Sequence, residues 1–521
     1  MAGRSHERGA LPERAEASTQ AEQAAQPARV PPPALPGLLA VAAVLVAVEL
    51  AYAGRYGYHR DELYFLEASR HLAWGYVDQP PITPALAALA RVAFGDSLLG
   101  LRLLPALAVG ALAVVGGLLA RELGGGRAPQ LLAAACVAGS SVVIAVGHLH
   151  GTTTYDLLGS GVVLLLLARL LRTRAGRLWP LIGLAVGVGL ENKPSMAQLA
   201  GVGMVALLAD RLGRRLLATP WLLAGAAVAL ALWAPYLAWQ AGHGWPQLDI
   251  FADLREEDGG LGAGLAFLPL QALMTNPLLT PVWVAGLWWL LRDRQARPWR
   301  PIAVAYLLLV AFYVVVGGKP YYAAGFYPAL FAAGAVWFAR RRAPAGLPLR
   351  RLLPAVAVAA VVPLPLVLPV LPVATINAVS AVNADAAETY GWPTYVAQIL
   401  AVRAALPAAE QAKVVAVTGN YGEAGALARY GGDWGRQASF SGHNSYWFWG
   451  PPHGDGGVVI VVGYGQARDL LDERFDSVTL AGRLDNRHGV DNEEQGQAVW
   501  VCRGLRGTWS DTWIAWRHYD G

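Results

Sequence analysis

Leu99 to Ala120 reads LGLRLLPALAVGALAVVGGLLA, an almost wholly apolar run long enough to cross a bilayer as a helix. Roughly 17 to 25 apolar residues are needed for one helical crossing. Working outward, ten more apolar segments lie near 37–53, 128–147, 156–171, 178–191, 195–210, 216–238, 277–291, 301–317, 323–339 and 352–373. The whole chain of 521 residues is 55% hydrophobic and only 15% charged, whereas a soluble chain carries about a quarter charged residues. The pattern predicts a polytopic all-α membrane protein of about eleven transmembrane helices.

Charge placement orients that bundle. The net charge of +5 would suit nucleic acid, but the arginines sit in short loops between apolar runs, as at Arg172, Arg174 and Arg177 or Arg340, Arg341 and Arg342. Such loops face the cytoplasm under the positive-inside rule, and nucleic acid is not an expected partner. With the N-terminus inside, the arginine-bearing loops after the second, fourth, sixth, eighth and tenth apolar segments all fall on the cytoplasmic side and the C-terminus falls outside. Residues 1–36 read as a disordered cytoplasmic tail, rich in Ala, Glu, Gln and Arg without apolar period. Ala51-Tyr52-Ala53 imitates a cleavage site, but the long leader argues for a retained anchor. Segments 178–191 and 195–210 are short, so the turn Glu191-Asn192-Lys193-Pro194 lies either at membrane depth or between two full crossings. The stretch from Gln240 to Asn276 reads as a long external loop, acidic around Arg255-Glu256-Glu257-Asp258.

Beyond residue 373 the composition turns polar. KVVAVT, GVVIVVG and QAVWVC read as buried strands, with helices over Pro393–Leu406 and Glu423–Tyr430 between them. Alternating strands and helices predict a small extracytoplasmic α/β domain over 374–521. Its turn Gly419-Asn420-Tyr421-Gly422-Glu423 joins strand to helix, a place where phosphate can bind, although an ordinary turn accounts for it as well. The aromatic stretch SGHNSYWFWGPPHGDG holds Trp447 and Trp449, suited to a sugar face, a membrane interface or a core. The two cysteines, Cys136 in an apolar run and Cys502 in the polar tail, do not suggest a disulfide.

Chemistry-bearing residues gather in the loops. The first external loop reads YGYHRDELYFLEASRHLAWGYVDQPP from Tyr56 to Pro81, with helical spacing over Asp61–Trp74 and a second helix from Pro84. Asp61 and Glu62 lie close to the outer end of the first apolar run, where carboxylates are costly unless paired or functional. Asp61 either caps a surface helix or takes a proton from a hydroxyl as that hydroxyl attacks. The second loop, GHLHGTTTYDLL, supplies His148, His150, Tyr155 and Asp156; two His and a carboxylate without a recognised spacing leave metal and cofactor open. Only three lysines occur, and Lys193 and Lys319 stand at apolar-segment ends. In an arginine-rich chain a lysine there suits a point-charge contact to phosphate, or simple snorkelling to the interface.

HRDELYF followed by HLAWGYVDQPP resembles the first external loop of the GT-C superfamily of membrane glycosyltransferases. The resemblance is closest to the protein O-mannosyltransferase-like group, glycosyltransferase family 39, which includes the aminoarabinose transferases of lipid A. It covers the membrane region, mainly its first half. It implies a GT-C fold over 37–373 and an inverting enzyme that takes sugar from a polyprenyl-phosphate donor. The acceptor is a protein, glycolipid or polysaccharide hydroxyl. The family's acidic residue maps onto Asp61, as catalytic base or acceptor-positioning group, with Glu62 beside it. Asp156 matches an acidic residue that shapes the site. The Lys319-Pro320-Tyr321-Tyr322 turn is similar to the lysine-and-tyrosine turn beside the lipid phosphate, and Lys193 is a further phosphate candidate. Several relatives carry a basic residue before the Pro-Pro pair, where this chain has Gln79. A transporter or lipid flippase is the alternative; it explains the helices, but neither the Asp-Glu pair in a long external loop nor a folded external tail.

Overall fold

The computed structural model describes residues 30–258, 261–464 and 468–519. The expected tail over residues 1–36 lies outside the described residues as far as residue 29, and so do the side chains of Arg255, Glu256, Glu257 and Asp258. Among the described residues, seven helices are long and apolar enough to cross a membrane, or nine if two bent pairs count as one span each. The chain is a multi-pass membrane protein. Each of the eleven apolar segments coincides with a helix, but not each with a full straight span.

The first half runs through α1 (Leu35–Tyr52), α2 (Arg60–Ala68), α3 (Ile82–Phe94), α4 (Leu98–Glu122), α5 (Arg127–Ala138), α6 (Ser141–His148) and α7 (Thr152–Thr173). Next come α8 (Trp179–Leu190), α9 (Ser195–Ala209) and α10 (Pro220–Gly242). The segment expected at 128–147 is broken, α5 and α6 meeting at 58°. The helix expected over Asp61–Trp74 ends at Ala68. The stretch from Gln240 to Asn276 is not a loop, because helices Pro246–Asp258 and Leu261–Met274 occupy most of it.

Packing sorts the helices by environment. α4 is the axis, with 67% of its apolar window buried, whereas only 11% of the window in α10 is buried. Bulky residues such as Leu223 and Val315 stay 72% and 81% exposed; a soluble surface would not leave whole apolar helix faces unpacked, and lipid would. Close helix pairs are made by small residues. A Cβ on Gly183 of α8 would stand 2.0 Å from the Gly225 carbonyl oxygen of α10.

The C-terminal part contains a five-stranded sheet in the order β2-β1-β3-β5-β4, with β1 (Val415–Thr418), β2 (Ser439–Ser441), β3 (Val458–Val462), β4 (Phe475–Arg483) and β5 (Ala498–Leu505). β1 runs parallel to β2 and β3, while β5 is antiparallel to β3 and β4. Alternation along β3 sends Val458, Ile460 and Val462 to one face and Val459 and Val461 to the other, each into its own core. The first of these cores also takes Leu63, Phe65 and Leu66 of α2, Ala87 and Ala90 of α3, and Leu101 of α4. The sheet and the segment between α1 and α4 therefore share one hydrophobic core. Helix α11 (Tyr421–Tyr430), which follows β1, packs against α2.

Candidate active site

His59 starts α2 as its N-cap. Its Nδ1 accepts from the Asp61 backbone N–H at 3.2 Å, and Glu62 Oε2 accepts from the His59 N–H at 2.9 Å, a reciprocal capping box. Asp61 thus stands in the first turn, where the helix dipole favours negative charge. Its side chain is 46% exposed and faces a cavity of about 540 Å³. Burial raises its pKa, but the neighbouring His59 and Arg60, the Tyr421 hydroxyl and Lys319 more than offset this and hold it below the usual carboxylate range. Tyr421 donates to Asp61 Oδ1 at 2.8 Å.

The cavity brings Asp61 together with Lys193, Lys319 and Tyr321. Thr152, Thr153 and His150 add polar groups, and Val142, Val146, Leu273, Val362 and Leu366 form an apolar wall. Lys193 Nζ donates to Thr153 Oγ1 at 3.0 Å and lies 5.2 Å from the centre of the Tyr321 ring and 5.4 Å from that of Tyr322. Lys193 and Lys319 thus both border a chamber whose wall is largely apolar, an arrangement suited to an anionic group on a greasy tail.

Three expected contacts, Glu62, Asp156 and Tyr322, are placed otherwise. Glu62 does not line the cavity. It is fully buried, and its carboxylate takes a bidentate pair from Arg102 at 2.9 and 2.7 Å, plus the backbone N–H of His150 at 3.0 Å. A carboxylate so fully bonded has no lone pair left for a substrate proton, so the expectation that Glu62 acts in catalysis beside Asp61 is replaced by a role in holding the loop. Asp156 and Tyr322 lie behind the lining rather than in it; Asp156 sits beside Lys193 and Ser195. Gln79 is buried away from the cavity, its carbonyl accepting from Tyr76 N–H at 3.0 Å.

The histidines of the second loop serve structure. His150 donates from Nε2 to the Thr83 carbonyl at 3.1 Å and accepts at Nδ1 from Tyr155 at 3.0 Å. His148 Nε2 lies 3.1 Å from Arg102. Among the described residues no group of three His, Cys, Asp or Glu side chains is placed to hold a metal ion. Trp449 stacks on His71 at 4.5 Å, and Trp447 donates to the Trp513 carbonyl at 2.9 Å, so the aromatic stretch of the C-terminal part is packed against its surroundings.

Sequence reasoning missed Tyr421 and Arg102 as site-forming residues. The strand-to-helix turn that carries Tyr421 stood out in the sequence, as an ordinary turn or a place for phosphate, but not for its tyrosine; its helix cap is closed by Asn420 and Glu423.

Comparison with known proteins adds to this geometry. The family described as dolichyl-phosphate-mannose-protein mannosyltransferase matches residues 78–239. A sequence search of curated proteins finds no match. Among solved structures, ArnT from Cupriavidus metallidurans bound to undecaprenyl phosphate superposes with a TM-score of 0.56 at 18% identity, covering 89% of this chain and 97% of that one. The apo state of the same protein gives 0.57 at 17% identity, with the same coverage. The likeness fixes the fold, which is GT-C with an added C-terminal domain.

Proposed function

We propose that this chain is an integral membrane glycosyltransferase that moves a sugar from a polyprenyl-phosphate donor to an acceptor hydroxyl on the extracytoplasmic side, with inversion. The observation that carries the reading is the cavity in which the Asp61 carboxylate shares a chamber with Lys193 and Lys319, with Asp385 also on its rim, beside an apolar wall. The family matched over residues 78–239 and the undecaprenyl phosphate of ArnT support the donor class.

The chemistry follows from the groups present. The acceptor O–H attacks the anomeric carbon as Asp61 takes its proton. The bond from that carbon to the phosphate oxygen breaks, and the polyprenyl phosphate leaves with the electron pair. Lys193 and Lys319, with Tyr321, hold the negative charge that develops there. One displacement at one carbon inverts its configuration. A lipid-linked donor explains a site built among membrane helices, because each CH₂ drawn from hydrocarbon into water costs about 0.8 kcal/mol. Residues 37–373 form the transfer unit, and 374–521 the extracytoplasmic domain. The acceptor is a protein, glycolipid or polysaccharide hydroxyl.

Asp61→Asn keeps the side chain's size and removes its proton-accepting charge. Purified into lipid discs and given a radiolabelled polyprenyl-phosphate sugar, it is expected to lose transfer by about 10²-fold or more with an unchanged melting temperature. Transfer at the wild-type rate overturns the reading.

A further inference from the structure

The parallel strands β1, β2 and β3 end together, and the chain passes from β1 to β2 on one side of it and then crosses from β2 to β3 on the other. In doubly wound sheets that end, beyond the carboxyl ends of the strands, forms the ligand crevice. Here that end is occupied by the C-terminal part's own His443, His518 and Glu423, and α11, which starts there, packs against α2. A Cβ on Gly425 of α11 would stand 2.9 Å from the Leu63 backbone, and one on Gly422 would stand 2.9 Å from Arg60 Cβ. No side chain fits between the two helices at those points. The N–H groups at the start of α11 are not offered to a ligand either: Asn420 accepts from Glu423 N–H at 2.8 Å, and Glu423 accepts from Gly419 N–H at 2.9 Å.

Tyr421 stands at the junction. Its ring is stacked on Tyr64 of α2 at 4.7 Å on one side and on His443 at 4.6 Å on the other, and His443 stacks in turn on His518 at 4.8 Å. A phenol held on both faces can swing little, so its hydroxyl direction is set by the packing. That hydroxyl donates to Asp61 Oδ1 and accepts from Arg60 at 3.3 Å, while Arg60 is paired with Glu493 of the C-terminal part.

We infer that the switch-point end of the C-terminal sheet holds the Asp61 carboxylate in register, with Tyr421 as the positioning residue. The inference rests on the proposed role of Asp61. Occupying Oδ1 leaves Oδ2 to receive the acceptor's proton. The donor hydrogen bond also favours the ionised carboxylate, in concert with the other groups that face it: His59 and Arg60 on α2, and Lys319 and Lys193 across the cavity. Tyr321 and Asp78 also lie within electrostatic reach, Asp385 stands 4.0 Å from His59, and Glu493 neutralises Arg60.

Tyr421→Phe removes the hydroxyl and keeps both ring stacks. With saturating donor, its kcat is expected to fall about fivefold to tenfold, the worth of one hydrogen bond of about 1 kcal/mol or slightly more. The acidic limb of its pH–rate profile moves to higher pH, and the KM for donor stays within about twofold. A wild-type kcat with an unmoved limb overturns the inference, and so does a lowered melting temperature with an unmoved limb. Should Tyr421→Phe fail to fold, difluorotyrosine placed at 421 keeps ring and hydroxyl while strengthening the donor; the limb then moves to lower pH, and an unmoved limb overturns the inference. Asp61→Asn assayed alongside separates the two claims. If it is inactive while Tyr421→Phe behaves as wild type, only the positioning role falls; if it transfers sugar normally, the catalytic reading falls first.

Discussion

Arg102 is 1% exposed inside α4, where a guanidinium is costly unless its donors are met. Besides the Glu62 pair, it donates to the Ala53 carbonyl at 2.8 Å and the Gly57 carbonyl at 2.8 Å. One side chain thereby ties the end of α1, the loop after it and α2 to the central helix, and through α2 it sets where Asp61 stands. Arg102→Met would leave Glu62 buried without its counter-charge, a change that costs about 3–5 kcal/mol. Its melting temperature in detergent is expected to drop sharply, and Glu62→Gln in the same chain is expected to recover part of the loss. Asp61, Lys193 and Lys319 drew attention in the sequence as charges near apolar boundaries, and Tyr321 through the resemblance of its turn; the structure brings all four to one cavity. Arg102 did not stand out, since it is one arginine among many. Nor did Tyr421, because its partner lies 360 positions away.

Elements were read well where period and length agreed. The three strands seen in the sequence are β1, β3 and β5, each a buried apolar run. β2 has three residues and β4 is an edge strand mostly facing out, so neither carries the alternation that would reveal it. The helices between Gln240 and Asn276 escaped because each is short of a full span and a polar stretch parts them. In α11, burial pushes the Glu423 carboxyl up to about 7, against the pull of the Asn420 and Gly419 N–H groups. The folded chain then keeps a proton that the unfolded chain releases above its ordinary value of 4.5. Stability is therefore expected to be highest below that value and to decline as pH rises towards 7, by up to about 3 kcal/mol. Glu423→Gln keeps the capping acceptor and carries no charge. Thermal melts between pH 4.5 and 8 are expected to show a flatter dependence for the variant than for the wild type.

At the scale of the whole molecule, the two halves were foreseeable and their joint was not. Composition separates a membrane region from a polar one, and all eleven apolar segments found helices, but periodicity describes a face without saying which other face it meets. The shared core of α2, α3, α4 and the sheet is that missing piece. At Gly425 the joint brings α11 against the Leu63 backbone, so Gly425→Leu forces the helix off it, and overpacking of this kind costs about 1–3 kcal/mol. Faster trypsin cleavage in the C-terminal part is expected, together with weaker sugar transfer, while detergent-extracted protein remains monodisperse on a sizing column.

The contact between Asp61 and Tyr421 also dictates a timetable. A ribosome that has just made α2 must add about 360 more residues before the hydroxyl that bonds this carboxylate exists. Contacts of such long sequence separation form late. A half-made chain therefore carries Asp61 without this contact, which forms only once α11 has been made.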